Sequence, residues 1–220
     1  MPKREPILVV GLGRFGSALT RELIELGHEV FGIDRDAKLV QSHMDELTHV
    51  AQADATDPEA LHQLCRAGTY QTAIVAIGTD VEASILTTHV LVNDLQIPRV
   101  WAKAITAAHG RILERIGAHK VIFPERDMGV RVAHVLSGRT LDYMELEGDF
   151  ALVETTPPKE MVGRTLEESG VRRRHQVTVV CVKPPDGVFT YATADTVIGP
   201  EDHLLVAGET RAVEEIATLS

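Results

Sequence analysis

Residues 7–16 read Ile-Leu-Val-Val-Gly-Leu-Gly-Arg-Phe-Gly. A short aliphatic run followed at once by G-x-G-x-x-G spacing predicts a buried strand turning sharply into a helix. In that setting each glycine has a task. Gly11 permits the tight turn, Gly13 lets a phosphate approach the backbone, and Gly16 allows the helix to lie close on the strand. The helix N-terminus then offers unpaired N–H groups and a partial positive charge to an anion. Arg14 and Phe15 fall inside this loop. Asp34 closes the next apolar run, 23 residues after Gly11, where a carboxylate can accept both ribose hydroxyls. Arg35 follows it, and Asp36 is the better candidate to cap the helix beyond.

Outward from the loop, residues 1–126 alternate between strand-like and helix-like runs. Apolar bursts stand at 7–10, 29–33, 49–51, 73–77, 99–102 and 121–123. One intervening helix carries Leu19, Leu23 and Leu26 on a single face with Gly27 as its C-terminal cap. Another opens with Asp57-Pro58, an N-cap and a proline at the first helical position. Six strands joined by helices predict an α/β fold, a doubly wound parallel sheet of Rossmann type. After Pro124 the rhythm changes. Residues 127–138 predict a connector helix from Asp127 to Leu136, with Val130, Ala133, Val135 and Leu136 apolar and Gly138 closing it. Residues 139–220 predict a smaller α+β domain, with strands at 141–146, 151–155, 177–182, 188–191 and 203–207. Short helices are expected near 165–168 and 210–219.

Adenine-nucleotide binding follows from the joint pattern; the choice of nucleotide stays open. Acidic Asp34 disfavours a ribose 2′-phosphate, whereas NAD, NADH, ATP, ADP and AMP share the adenosine half. Arg14 either reaches a terminal phosphate, in its own or a neighbouring subunit, or is a solvated surface arginine. Asp54-Ala55-Thr56 and Gly78-Thr79-Asp80 lie at carboxyl ends of strands, where ligands of open α/β sheets bind. Asp54 suits the adenine or ribose, while Asp80 reads as an N-cap. Lys103 ends the fifth strand, where it either meets phosphate as a point charge or is a surface lysine.

Composition excludes other classes. The 220 residues carry net charge −10, of which −7 falls in residues 139–220. Neither part has the basic footprint of a nucleic-acid binder. No apolar run reaches the roughly 18 residues that span a bilayer. Cys65 and Cys181 form no CxxC, which fits a reducing cytosol. No GxSxG, HExxH or Walker A pattern is present, so binding and sensing are favoured over chemistry. The alternative is an NAD-dependent oxidoreductase with a small substrate domain.

The combination of Gly-Leu-Gly-Arg-Phe-Gly at 11–16, Ile33-Asp34-Arg35-Asp36, Asp54-Ala55-Thr56 and Phe123-Pro124-Glu125-Arg126-Asp127-Met128-Gly129 resembles the RCK (regulator of conductance of potassium) family. Within it, the pattern is similar to the cytosolic regulatory subunits of Trk/Ktr potassium-uptake systems. The resemblance implies dimers assembling into an octameric ring beneath a membrane potassium channel or transporter subunit. That places the chain in the cytoplasm, peripheral to the inner face of the membrane. ATP or ADP, in some members NAD or NADH, would set the shape of the ring. Carried over by position, Gly11, Gly13 and Gly16 cradle phosphates and Asp34 holds the ribose. Arg14 looks like an arginine reaching the γ-phosphate across the dimer. Glu125 looks like a carboxylate binding a divalent or monovalent cation between subunits, or else is a solvated helix-start residue. In related C-terminal domains cyclic di-AMP binds at a dimer interface. Arg172 and His175 lie in the corresponding stretch, which otherwise reads as a solvated charged turn.

Overall fold

The computed structural model describes residues 5–66, 68–137, 140–146 and 148–219. The chain divides into two compact units, Met1–Glu125 and Arg126–Ser220. In the first unit, β1 (Ile7–Val10), β2 (Val30–Asp34), β3 (His49–Gln52), β4 (Thr72–Val75), β5 (Arg99–Lys103) and β6 (Lys120–Ile122) form one sheet. Their order is β3-β2-β1-β4-β5-β6 and every pairing is parallel. The crossovers are α1 (Arg14–Glu25), α2 (Ala37–Ser42), α3 (Pro58–Leu64), α4 (Val81–His89, extended by a π-turn over Val90–Asp94) and α5 (Ala107–Ile116). The predicted doubly wound sheet is therefore present. Its strand order reverses between β1 and β4, which opens a crevice at the carboxyl ends of those two strands.

Side-chain alternation along β1 builds the two faces of this sheet. Leu8 and Val10 enter one core with Ile33, Leu61, Leu91 and Leu113. Val9 enters the other with Leu12, Val30 and Ile74, covered by Leu19 and Leu23 of α1. Leu26 departs from the expected apolar face, being 51% exposed. The helix has already ended there. Gly27, at φ +83°, turns the chain, its N–H donating to Ile24 O and that of His28 to Leu23 O. Asp57 caps α3 through the Glu59 N–H, with Pro58 in the first turn.

The second unit begins at Arg126, within α6 (Pro124–Leu136), a helix that starts three residues before the expected Asp127. Proline suits a first helical position because its missing N–H has no intrahelical partner there in any case. The expected terminator, Gly138, lies outside the described residues, as does Arg139. Beyond come β7 (Asp142–Leu146), β8 (Phe150–Thr155), α7 (Leu166–Ser169), α8 (Val171–His175), β9 (Thr178–Lys183), β10 (Thr190–Tyr191), β11 (His203–Glu209) and α9 (Thr210–Thr218). The strands make an antiparallel sheet, β10-β9-β11-β8-β7. Val153, Ile198, Leu204, Val206, Val213 and Ile216 form its solvent-free core. β10 is shorter than the 188–191 run. Its register pairs Thr190 with Val182, so Val188 would face Pro184, which has no N–H to give. The arginine run expected as a turn is helix α8, entered through Gly170 at φ +60°. Among the described residues no helix is long and apolar enough to cross a membrane.

Candidate functional site

A cavity of about 380 Å³ occupies the crevice between the carboxyl ends of β1 and β4. Its lining includes the expected Gly11, Gly13, Arg14, Phe15, Asp34, Arg35, Asp54, Ala55, Thr56, Gly78 and Lys103, together with Glu125. Gly16 sits beneath the loop. Residues up to 114 positions apart in the chain thus converge on one crevice because parallel strands all end on the same side of the sheet.

The glycines divide their tasks by geometry. Gly11 holds φ +98°, a conformation open to glycine at little steric cost. A Cβ on Gly16 would stand 1.8 Å from Gly11 O, so helix and loop touch backbone to backbone there. A Cβ on Gly13 would meet nothing within 4 Å. Space therefore lies open above the loop. Gly13 is also the N-cap of α1, which has no side-chain cap and no acidic residue in its first turn. The first N–H groups of α1 consequently receive no side-chain acceptor at the N-cap, the condition for anion binding at a helix start.

Asp34 joins the loop to β2. Its Oδ2 accepts the Leu12 N–H at 2.6 Å and its Oδ1 the Asp36 N–H at 2.8 Å. Each carboxylate oxygen keeps further acceptor capacity for a ligand hydroxyl. Asp36 caps α2 through the Lys38 N–H at 2.8 Å. Arg35 lies at the rim, 3.3 Å from Asp80, which also caps α4 through the Ala83 N–H. Asp54 accepts both the hydroxyl and the N–H of Thr56, at 2.7 and 2.9 Å. Those two bonds hold its carboxyl below the usual range.

At the other end of the cavity the Lys103 ammonium lies 2.5 Å from Glu125 Oε1. The lysine side chain is 8% exposed and the glutamate 63%. The Lys103 hydrogen bond is the main reason that the Glu125 carboxyl titrates low, with Arg14 adding a smaller coulombic contribution. Arg14 itself is exposed at the cavity mouth. Two cations and one carboxylate therefore stand at this end of the cavity. Sequence reasoning missed Ala83 and Thr87, one helical turn apart on α4. Both line the cavity, and the Thr87 hydroxyl is buried without a partner among the described residues. Their i,i+4 spacing just after the Asp80 cap was the available signal.

Arg172 and His175 are placed in the second unit, on α8. The His175 ring is 3.2 Å from Glu160 Oε1, and Glu160 Oε2 lies 3.1 Å from Arg174. Arg174 also donates to Ser169 O. Arg172 is exposed.

Comparison with known proteins places these features in context. The TrkA-N domain matches residues 7–124 and the TrkA-C domain residues 150–219. Ktr system potassium uptake protein A of Bacillus subtilis (strain 168) is 32% identical over 96% of this chain and 95% of its own. Ktr system potassium uptake protein C of the same organism is 35% identical over 93% and 92%. Among solved structures, the GsuK channel bound to NAD superposes with a TM-score of 0.65 at 21% identity, over 98% of this chain. The chain spans 40% of the length of that channel, and the likeness is one of fold.

Proposed function

The chain belongs to the RCK family of Trk/Ktr potassium-uptake regulatory subunits through its TrkA-N and TrkA-C domains, and we propose on that premise that it is a nucleotide-binding regulatory subunit of a potassium transport system. The observation that carries the nucleotide reading is the loop itself. Gly13 leaves its approach open, α1 begins without a side-chain cap, and Asp34 lines the same cavity with acceptor capacity for ribose hydroxyls. ATP or ADP is the favoured occupant, with NAD or NADH as the other adenine nucleotides the cavity suits. The GsuK channel supplies a precedent for NAD on this fold.

Regulation by such a ligand requires that it bind one arrangement of the assembly better than another. A tenfold preference is worth about 1.4 kcal/mol per site, and several coupled sites add. The assembly we propose is a homodimer that multiplies into an octameric ring on a membrane-embedded potassium channel or transporter subunit. This places the chain at the cytoplasmic face. An observation favouring self-association is α6, none of whose residues is buried. Met128, Val130, Val132, Val135 and Leu136 are 36–80% exposed, an apolar surface that monomers seldom leave open.

A cation at Glu125 would need further oxygens. Among the described residues no three His, Cys, Asp or Glu side chains gather, so water, a bound phosphate or a second copy would complete the shell. Cyclic di-AMP at Arg172 and His175 would have to displace Glu160 from the histidine. The test is calorimetry with ATP, ADP and NADH alongside light scattering. Binding of an adenine nucleotide by an oligomer is expected. A monomer indifferent to all of them would overturn the reading, and turnover of NADH with carbonyl substrates would favour an oxidoreductase.

A further inference from the structure

Lys103 is threaded through the wall of the cavity. A Cβ on Gly78 would lie 2.9 Å from its Nζ, and the Phe15 ring centroid is 5.5 Å from the same atom. Its carboxylate partner, Glu125, comes from the far side of the β5–β6 connection. Glu125 is the second residue of α6 and the last residue of the first compact unit. The pair thus ties the first turn of α6 to the carboxyl end of β5.

An ammonium has three N–H donors, and Glu125 takes one of them. The rest of the group belongs to the cavity that the phosphate loop also lines. With Glu125 in place its charge offsets that of Lys103 and, to a smaller degree, that of Arg14. With Glu125 displaced, Lys103 and Arg14 both face a ligand's phosphates. A phosphate oxygen arriving near Lys103 is attracted by the ammonium and repelled by the carboxylate. The carboxylate, being the exposed member, is the one able to leave.

We propose that Glu125 competes with the ligand's terminal phosphate for Lys103, so that Lys103 makes the cavity sensitive to phosphate number and a di- or triphosphate frees the first turn of α6. The proposal rests on the reading of the cavity as a nucleotide seat. It adds a specificity-determining residue and a regulatory contact to that seat.

The experiment is calorimetry on the full chain in a chelator, free of divalent cations, with adenosine, AMP, ADP and ATP. Glu125→Gln, which still accepts a hydrogen bond from Lys103, is expected to tighten ADP and ATP by about tenfold, equivalent to about 1.4 kcal/mol. Adenosine affinity is expected to stay within about twofold, since a factor of two is only about 0.4 kcal/mol. The double variant Lys103→Met with Glu125→Gln leaves no charge of the pair unmatched. It is expected to lose most of the gain from AMP to ATP. In the unsubstituted chain, hydrogen exchange over residues 124–128 is expected to quicken with ATP and not with adenosine. An unchanged or lowered ATP-to-adenosine preference in Glu125→Gln would overturn the competition while leaving the nucleotide seat intact. So would exchange at 124–128 that ignores ATP. If the unsubstituted chain binds none of the four compounds, the seat itself is refuted, and the inference with it.

Discussion

Asp34 binds the phosphate loop from within: its Oδ2 accepts the Leu12 N–H at 2.6 Å, across 22 residues of sequence. On the proposed reading, the residue that would accept a ribose is also a strut of the loop that would receive the phosphates. Ligand affinity and local stability would then be linked at one carboxylate.

Replacing Asp34 with Ala is expected to act on both. Losing hydrogen bonds to a charged group weakens each interaction by about 1.5–3 kcal/mol. Nucleotide affinity should fall at least about tenfold, with unfolding free energy lowered by about 1–3 kcal/mol as the Leu12 and Asp36 N–H groups lose their acceptor. Calorimetry and urea unfolding read the two effects separately. Unchanged affinity would mean that the ribose is held elsewhere.

The loop glycines allow a sharper separation. Gly16→Ala places a methyl 1.8 Å from Gly11 O, a clash that only backbone movement relieves. It is expected to destabilise the first unit by about 3 kcal/mol or more, at the severe end of overpacking. Gly13→Ala meets no neighbour within 4 Å and its φ of −65° suits any residue. Its stability change should stay within about 1 kcal/mol, the scale of an N-cap exchange. Nucleotide binding should nevertheless be lost, because the new methyl occupies the approach to the backbone. A Gly13→Ala chain that binds normally would show that phosphates do not cross this loop.

The positions of Gly11, Gly16 and Asp34 were legible in the sequence because they are set by local spacing: a strand end, a turn and the next strand end. The helix caps Asp36, Asp57 and Asp80 were legible for the same reason, each bonding an N–H two or three residues on. The Lys103–Glu125 contact was not. Lys103 could be placed at the end of its strand and Glu125 near a helix start, but their meeting depends on β5 and β6 being neighbours and on α6 starting at Pro124. Helix α8 was hidden because Arg174 is held by Glu160 and Ser169 O and His175 by Glu160, partners that no periodicity in 171–175 reveals. The fate of Leu26 turned on a single residue, since the helix stops at Glu25.

Acid should report the Glu125 contact. Its carboxyl titrates below the ordinary value, chiefly through the Lys103 hydrogen bond, so the native state holds fewer protons than the unfolded chain. The stability this contributes is present above about pH 4.3, the unfolded value. It is lost as pH falls through the lower folded value. Because Glu125 is 63% exposed, screening by solvent keeps the effect small. The measurement is the difference in unfolding free energy between the unsubstituted chain and Glu125→Gln. That difference should shrink between about pH 5 and pH 3. A difference independent of pH would assign the pair no energetic role.

The exposed face of α6 gives the last test. Arg131 on this helix makes two hydrogen bonds to Asp142, at 2.7 and 2.6 Å, and His134 stacks on Tyr143 with ring centroids 3.8 Å apart. One side of α6 is thereby fixed to the second unit, while Val132 and Leu136, an i,i+4 pair, stay 44% and 80% exposed. Truncating either to Ala would remove little from the folded monomer, whereas a charge there should oppose burial against another copy. Leu136→Glu with Val132→Glu is expected to lower the mass seen by light scattering at micromolar concentration. Monomer unfolding free energy should change by about 0.5 kcal/mol or less at each such surface position. If the mass is unchanged, self-association runs through another face, and the exposed apolar surface of α6 awaits a different partner.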